Sequence, residues 1–131
     1  MKNTTFIDNS GHPLGLSHNC HDGNGPFYIR DLIAPLGEGE RQFIKYIHED
    51  IIPPGSDFGY HTHTDERPSE EWYLCLEGNG IMELDGEEIP MKPGDISMCR
   101  SNGSHGIRNE GHSDLRILVI YASAIEQREG E

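Results

Sequence analysis

Two histidines, His61 and His63, stand one residue apart in the run GYHTHTDE. On a β-strand, side chains two positions apart leave the same face, so both imidazoles can reach one ion. The pair alone says little. With eight histidines in 131 positions, chance supplies roughly 0.5 such pairs per chain, and a bare motif of this kind is weak. Its surroundings are more specific. Eight residues after His63 comes Glu71, which opens the run EWYLCLE that Gly78 follows. Along it Glu71, Tyr73 and Cys75 share one face, while Trp72, Leu74 and Leu76 share the other. A third imidazole, His105, follows the turn Asn102-Gly103 and precedes Asn109 by four residues. Three neutral imidazoles and one carboxylate suit a single divalent transition ion such as Fe, Mn, Ni, Cu, Co or Zn, and suit calcium or magnesium poorly. Tyr73, one alternation beyond Glu71, is the first candidate for a pocket donor or acid/base group. His48, in the alternating run 43–52, is the second; it reads either as a pocket base or as a solvated residue.

The elements that must carry these groups are short. No long segment has a helical apolar period. Instead β-rich runs at 71–77, 81–84, 87–91, 96–100, 105–109 and 115–122 are separated by turn signals such as Gly78-Asn79-Gly80, Asp85-Gly86 and Asn102-Gly103. Asn-Gly and Asp-Gly accept positive φ cheaply and therefore suit tight antiparallel connections. Two further strands are predicted at 27–33 and 43–52, the second closed by Pro53-Pro54-Gly55, because proline cannot donate to a ladder. This density of short strands predicts an all-β sandwich or barrel in one domain. Residues 26–122 form that domain. Residues 1–25 read as an arm or loop, and 123–131 as a tail with room for one helical turn.

The run 55–80, GSDFGYHTHTDERPSEEWYLCLEGNG, resembles the first motif of the cupin superfamily, matched at Gly55, His61, His63, Glu71 and Gly78. The run 86–109, GEEIPMKPGDISMCRSNGSHGIRN, resembles the second, with Pro93-Gly94-Asp95 as its turn and His105 and Asn109 in place. The resemblance implies a double-stranded β-helix (jelly-roll barrel) with a metal near one mouth, held by His61, His63, Glu71 and His105. It also implies a small polar, carbohydrate-like or carboxylic acid ligand, and a homodimer. Two functional readings stay open. One is a metal-dependent enzyme of isomerase, lyase or dioxygenase type; the other is a non-catalytic small-molecule or carbohydrate-binding module. Two departures stand out. Seven residues, TDERPSE, separate His63 from Glu71 where the family usually has three or four. They lengthen a loop that either offers Asp65 or Arg67 to a ligand or is plain surface. The stretch before His105 is one residue short and lacks the usual proline.

Composition excludes other classes. Ten basic against 23 acidic residues leave a formal charge of −13, a field that repels phosphate backbones and anionic lipid, so neither nucleic acid nor membrane is an expected partner. The N-terminal run lacks a basic-then-apolar signal pattern and no apolar stretch is long enough to span a bilayer, so a cytoplasmic protein is expected. Cys20, Cys75 and Cys99 then read as reduced thiols. The segment SHNCHDGNG, with His18, Cys20 and His21, lacks a second ligand pair at zinc-finger spacing and reads as a loop. Arg100 is a candidate for anion binding, or more simply for surface pairing. Met82, Met91 and Met98 are expected to fill core gaps.

Overall fold

Where the turn dipeptides lie, the chain reverses. Asp85 and Gly86 take φ of 48° and 87°, and Asn102 takes 74°, the left-handed values that tight hairpins need. The computed structural model describes residues 3–64 and 67–124. Among them the strands are β1 (Gly15–His18), β2 (Pro26–Asp31), β3 (Ile44–Ile52), β4 (Asp57–Thr62), β5 (Ser69–Glu77), β6 (Gly80–Leu84), β7 (Glu87–Met91), β8 (Ile96–Arg100), β9 (Ser104–Arg108) and β10 (Leu115–Ser123). All pairings are antiparallel. They build one sheet in the order β1-β2-β3-β10-β5-β8 and a second in the order β4-β9-β6-β7. The two face each other as a jelly roll, as expected.

Between them lies the core. Ile52, Leu115 and Ile117 are fully buried, and Phe27, Phe58, Met82, Ile107 and Val119 pack around them. Each such side chain contributes about 1.5–3 kcal/mol through burial. The period-2 pattern read in EWYLCLE is seen directly: Ser69, Glu71, Tyr73 and Cys75 are buried, and the residues between them are not. Across the large sheet the register continues this inner face. Glu71 lies opposite Tyr121, which lies opposite Tyr46; Tyr73 lies opposite Val119, which lies opposite His48.

Two motif residues prove to be architectural. Asn109 is buried, and its amide donates to the carbonyls of Ile52 (2.8 Å) and Ser113 (2.8 Å), tying β3 to the turn before β10. Gly78 takes φ of 79°, and a Cβ there would stand 2.3 Å from the Asp114 carbonyl oxygen. Only glycine fits this crossing.

The structure corrects one expectation. Met98 is 40% exposed on the outer face of edge strand β8, unlike the buried Met82 and Met91. Its position is one alternation out of phase with the inward-facing Ser97 and Cys99. Strand β1, inside the segment read as an arm or loop, pairs with β2 along its whole length; GLSH is too short to show an alternation. Of the tail expected at 123–131, Ser123 is the last residue of β10, while 125–131 and Asp65 lie outside the described residues.

Candidate metal centre

His61 reaches the site from the end of β4, where the register to β9 slips between Phe58 and His61. That irregularity lets the chain aim both histidines inward although His63 lies just past the strand. The turn opposite holds His63 by its backbone, with its N–H on Gly103 O (2.9 Å) and its carbonyl accepting from Asn102 (2.7 Å). His105 comes from β9, directly opposite His61 in register and wholly buried. Glu71 comes from β5 in the other sheet, so the cluster bridges the two layers.

The four side chains converge. Their candidate ligand atoms all lie within 4.8 Å of one another. His63 Nε2 is 3.0 Å from His105 Nε2, and Glu71 Oε1 is 3.1 Å from His105 Nε2 and 3.4 Å from His63 Nε2. Two atoms bonded to one ion at about 2.1 Å are separated by roughly 3.0–3.4 Å in octahedral or tetrahedral arrangements. His61 Nδ1 donates to the Gly59 carbonyl at 2.8 Å, which leaves the Nε2 lone pair free, and that buried nitrogen has no hydrogen-bond partner. An orphaned, correctly tautomerised imidazole nitrogen is what a metal ligand looks like before the ion is considered. The donor set fits a transition ion.

Around the quartet is a wall that the sequence reading found only in part. Tyr46 donates its hydroxyl to Oε2 of Glu71. Its ring is stacked between His48 (centroids 4.0 Å apart) and Tyr121 (5.2 Å). Burial pushes the Glu71 carboxyl up, but hydrogen bonding by His105 and Tyr46, with the electrostatic pull of His105 and His63, outweighs it and leaves the group below its ordinary value. His48 is half-buried on the inner face, and burial lowers its basicity against the pull of Asp31 and Glu71. Tyr73 is 2% exposed and packs its ring on His105 at 4.8 Å. Desolvation first, then Glu71, pushes its phenol far up, so Tyr73 stays protonated.

Other candidates fall elsewhere. Arg67 is exposed, and the stretch 67–70 lines a depression with Arg100, Ser101 and Asn102. Arg100 is exposed opposite Glu70 in register, on the surface side of β8. The three cysteines are free; burial raises Cys20 to about 12, so this thiol is inert. Two residues were missed. Tyr46 shared the inner-face alternation with His48 and was readable from it. His21, in a segment that reads as loop, lies with its ring 3.6 Å from that of His61; nothing local signals this.

Fold and site together define the class. The cupin domain family matches residues 48–121, more than half of the chain, and this chain belongs to it. It is 39% identical over 69 residues to an oxalate-binding protein of Thermotoga maritima, covering 53% of this chain and 54% of that one. It is 28% identical to a 5-nitrosalicylic acid 1,2-dioxygenase of Bradyrhizobium, covering 74% of this chain and 55% of that one. The chain thus spans about half the length of each of these two relatives. Among solved structures, a predicted oxalate decarboxylase from Thermotoga maritima superposes with a TM-score of 0.79 at 26% identity, covering 91% of this chain and 99% of that one. KdgF from Halomonas superposes at 0.72 with 14% identity and 97% of both chains covered, a likeness of fold. Among the described residues, no helix is long and apolar enough to cross a membrane.

Proposed function

We propose that this cupin holds one divalent transition metal (Fe, Mn, Ni or Zn) on His61, His63, Glu71 and His105, and uses it to bind and activate a small carboxylic acid. The observation that carries the reading is the 3.0–3.4 Å triangle of His63 Nε2, His105 Nε2 and Glu71 Oε1 beside the orphaned Nε2 of His61. When bound, the ion supplies a Lewis acid with coordination positions left for a ligand. A divalent charge against one carboxylate leaves a net positive centre that favours an anion. The names of the relatives, an oxalate-binding protein and a predicted oxalate decarboxylase, support a carboxylate. The chain's own groups then have distinct tasks. Tyr46 holds Glu71 by one oxygen. His48 and Tyr73 line the wall, His48 as a neutral base and Tyr73 as a hydrogen-bond donor that keeps its proton.

A second reading, a binding module without turnover, is favoured by that same Tyr73, whose burial makes it a poor acid or base. The two are separated by incubating metal-loaded protein with a panel of small carboxylic acids and following product formation. Turnover that Tyr73→Phe abolishes while metal is retained establishes the enzyme. Binding with no turnover by either protein establishes the module. Absence of both overturns the proposal.

Assembly as a homodimer belongs to the same proposal. Leu16, Tyr28, Ile96 and Met98 are 40–59% exposed on the outer face or edges of the six-stranded sheet. They fall in two pairs at opposite edges, Leu16 with Tyr28 on β1 and β2 and Ile96 with Met98 on β8, and the β8 pair is the contact surface we propose. The free thiols agree with a reducing, cytoplasmic setting.

A further inference from the structure

Outside the quartet, one imidazole is placed at the site with unusual care. His21 lies in a short 3-10 turn, Cys20–Asp22, between β1 and β2. Its ring is stacked flat on His61, 3.6 Å between centroids and 15° between planes, while the residue remains exposed on its other side. Forty residues separate the two, and the backbone is built to bring them together. Asn19, His21 and Asp22 all take left-handed φ, at 55°, 51° and 60°. Asn, His and Asp are the non-glycine types that tolerate this region best, so the turn can take its shape without glycine. The turn is pressed onto β4. A Cβ at Gly59 would meet the His21 carbonyl oxygen at 2.1 Å, and one at Gly23 would meet the Asp57 carbonyl oxygen at 2.4 Å. The Asp57 carboxylate accepts from the backbone and side-chain nitrogens of Asn24, each at 3.2 Å, and Asp57 N–H donates to the Asn24 carbonyl at 2.9 Å.

Packing alone does not call for this. A fourth histidine adds little apolar surface, and its ring is not among the four groups that converge. What distinguishes it is position. Lying flat on His61, the ring borders the quartet, near enough for Glu71, His63 and His105 to act on it electrostatically. We infer that His21 is a ligand-recognition residue, donating a ring N–H to the carboxylate of a small acid bound at the quartet. The inference rests on the metal reading above and adds to it the residue that selects an anion with a hydrogen-bond acceptor.

The test compares wild type with His21→Phe, which keeps a flat ring on His61 but has no donor, and with His21→Gln, which has a donor without the ring. Each is loaded with Co(II), its metal content measured, and then titrated with formate while the visible Co(II) bands are followed. The expected result is equal Co(II) uptake by all three. Formate affinity should fall at least about tenfold in His21→Phe, the loss typical of one charge-assisted hydrogen bond, and recover in part in His21→Gln. Unchanged formate affinity in His21→Phe, with Co(II) bound as in wild type, overturns the inference and leaves the metal reading intact. Loss of Co(II) from His21→Phe overturns it too, because His21 then supports the metal rather than the anion. Wild type that takes up no Co(II) overturns both.

Discussion

Tyr46 donates its phenolic hydrogen bond to Oε2 of Glu71, while Oε1 of the same carboxylate faces His63 and His105. The two residues come from β3 and β5, with β10 between them. One oxygen is thereby tied to the wall and the other is turned to the two imidazoles. Glu71 is thus prepared to act through a single atom, and the stack of His48, Tyr46 and Tyr121 keeps the phenol in place.

Removing that bond should loosen the site without unfolding it. Tyr46→Phe is expected to lower metal affinity about 10–100-fold, the usual effect of losing a partner of a metal ligand. Competition against a chelator of known affinity measures this. A variant that competes as well as wild type would show that Glu71 needs no such support.

Asp50 should make the stability of the metal-free protein depend on pH. It is 3% exposed, its Oδ1 has no partner, and burial, then Glu71 and Glu49, pushes its carboxyl up to about 8. The unfolded carboxyl titrates near 4. Between about pH 4 and pH 8 the unfolded chain releases this proton while the folded chain keeps it, so stability is full below the window and declines as pH rises through it. Asp50→Asn removes this slope. Denaturant melts at pH 5 and pH 8 should show the variant gaining on wild type by on the order of 2–4 kcal/mol across that interval; parallel pH profiles would refute the assignment.

Gly78 separates fold from chemistry. With φ at 79° and a backbone oxygen where a Cβ would stand, Gly78→Ala should cost about 2 kcal/mol or more. Metal affinity of the folded variant should not change. Urea unfolding and metal titration, run side by side, distinguish the two effects.

Much of this site was legible in the order of residues, because two simple rules govern it. Alternation along strands put His61 with His63, and Glu71 with Tyr73, on shared faces, and turn dipeptides delimited the strands that bring them together. The same alternation contained Tyr46 beside His48, but a tyrosine in a strand carries no signal of its own. Hydrophobic type alone points Met98 inward, but its phase against the buried Ser97 and Cys99 turns it out. The stacking of His21 on His61 was beyond reach, since it depends on where a loop lands after both sheets have formed. Contacts of that kind have no period and no spacing.

The dimer surface gives a further test. Replacing Ile96 and Met98 together by glutamate puts charge on the outer face of β8. Sedimentation at micromolar concentration should show wild type as a dimer and the double variant as a monomer with unchanged circular dichroism. A wild-type monomer would remove the assembly from the account.

The central claim is that four side chains from two sheets hold one ion. Elemental analysis of protein purified without added metal, beside His61→Ala prepared identically, tests it most directly. About one equivalent of Fe, Mn, Ni or Zn per wild-type chain, falling to about a tenth or less in the variant, is the predicted result. Equal metal content in the two proteins, or a wild type that stays empty after dialysis against each ion, would contradict it.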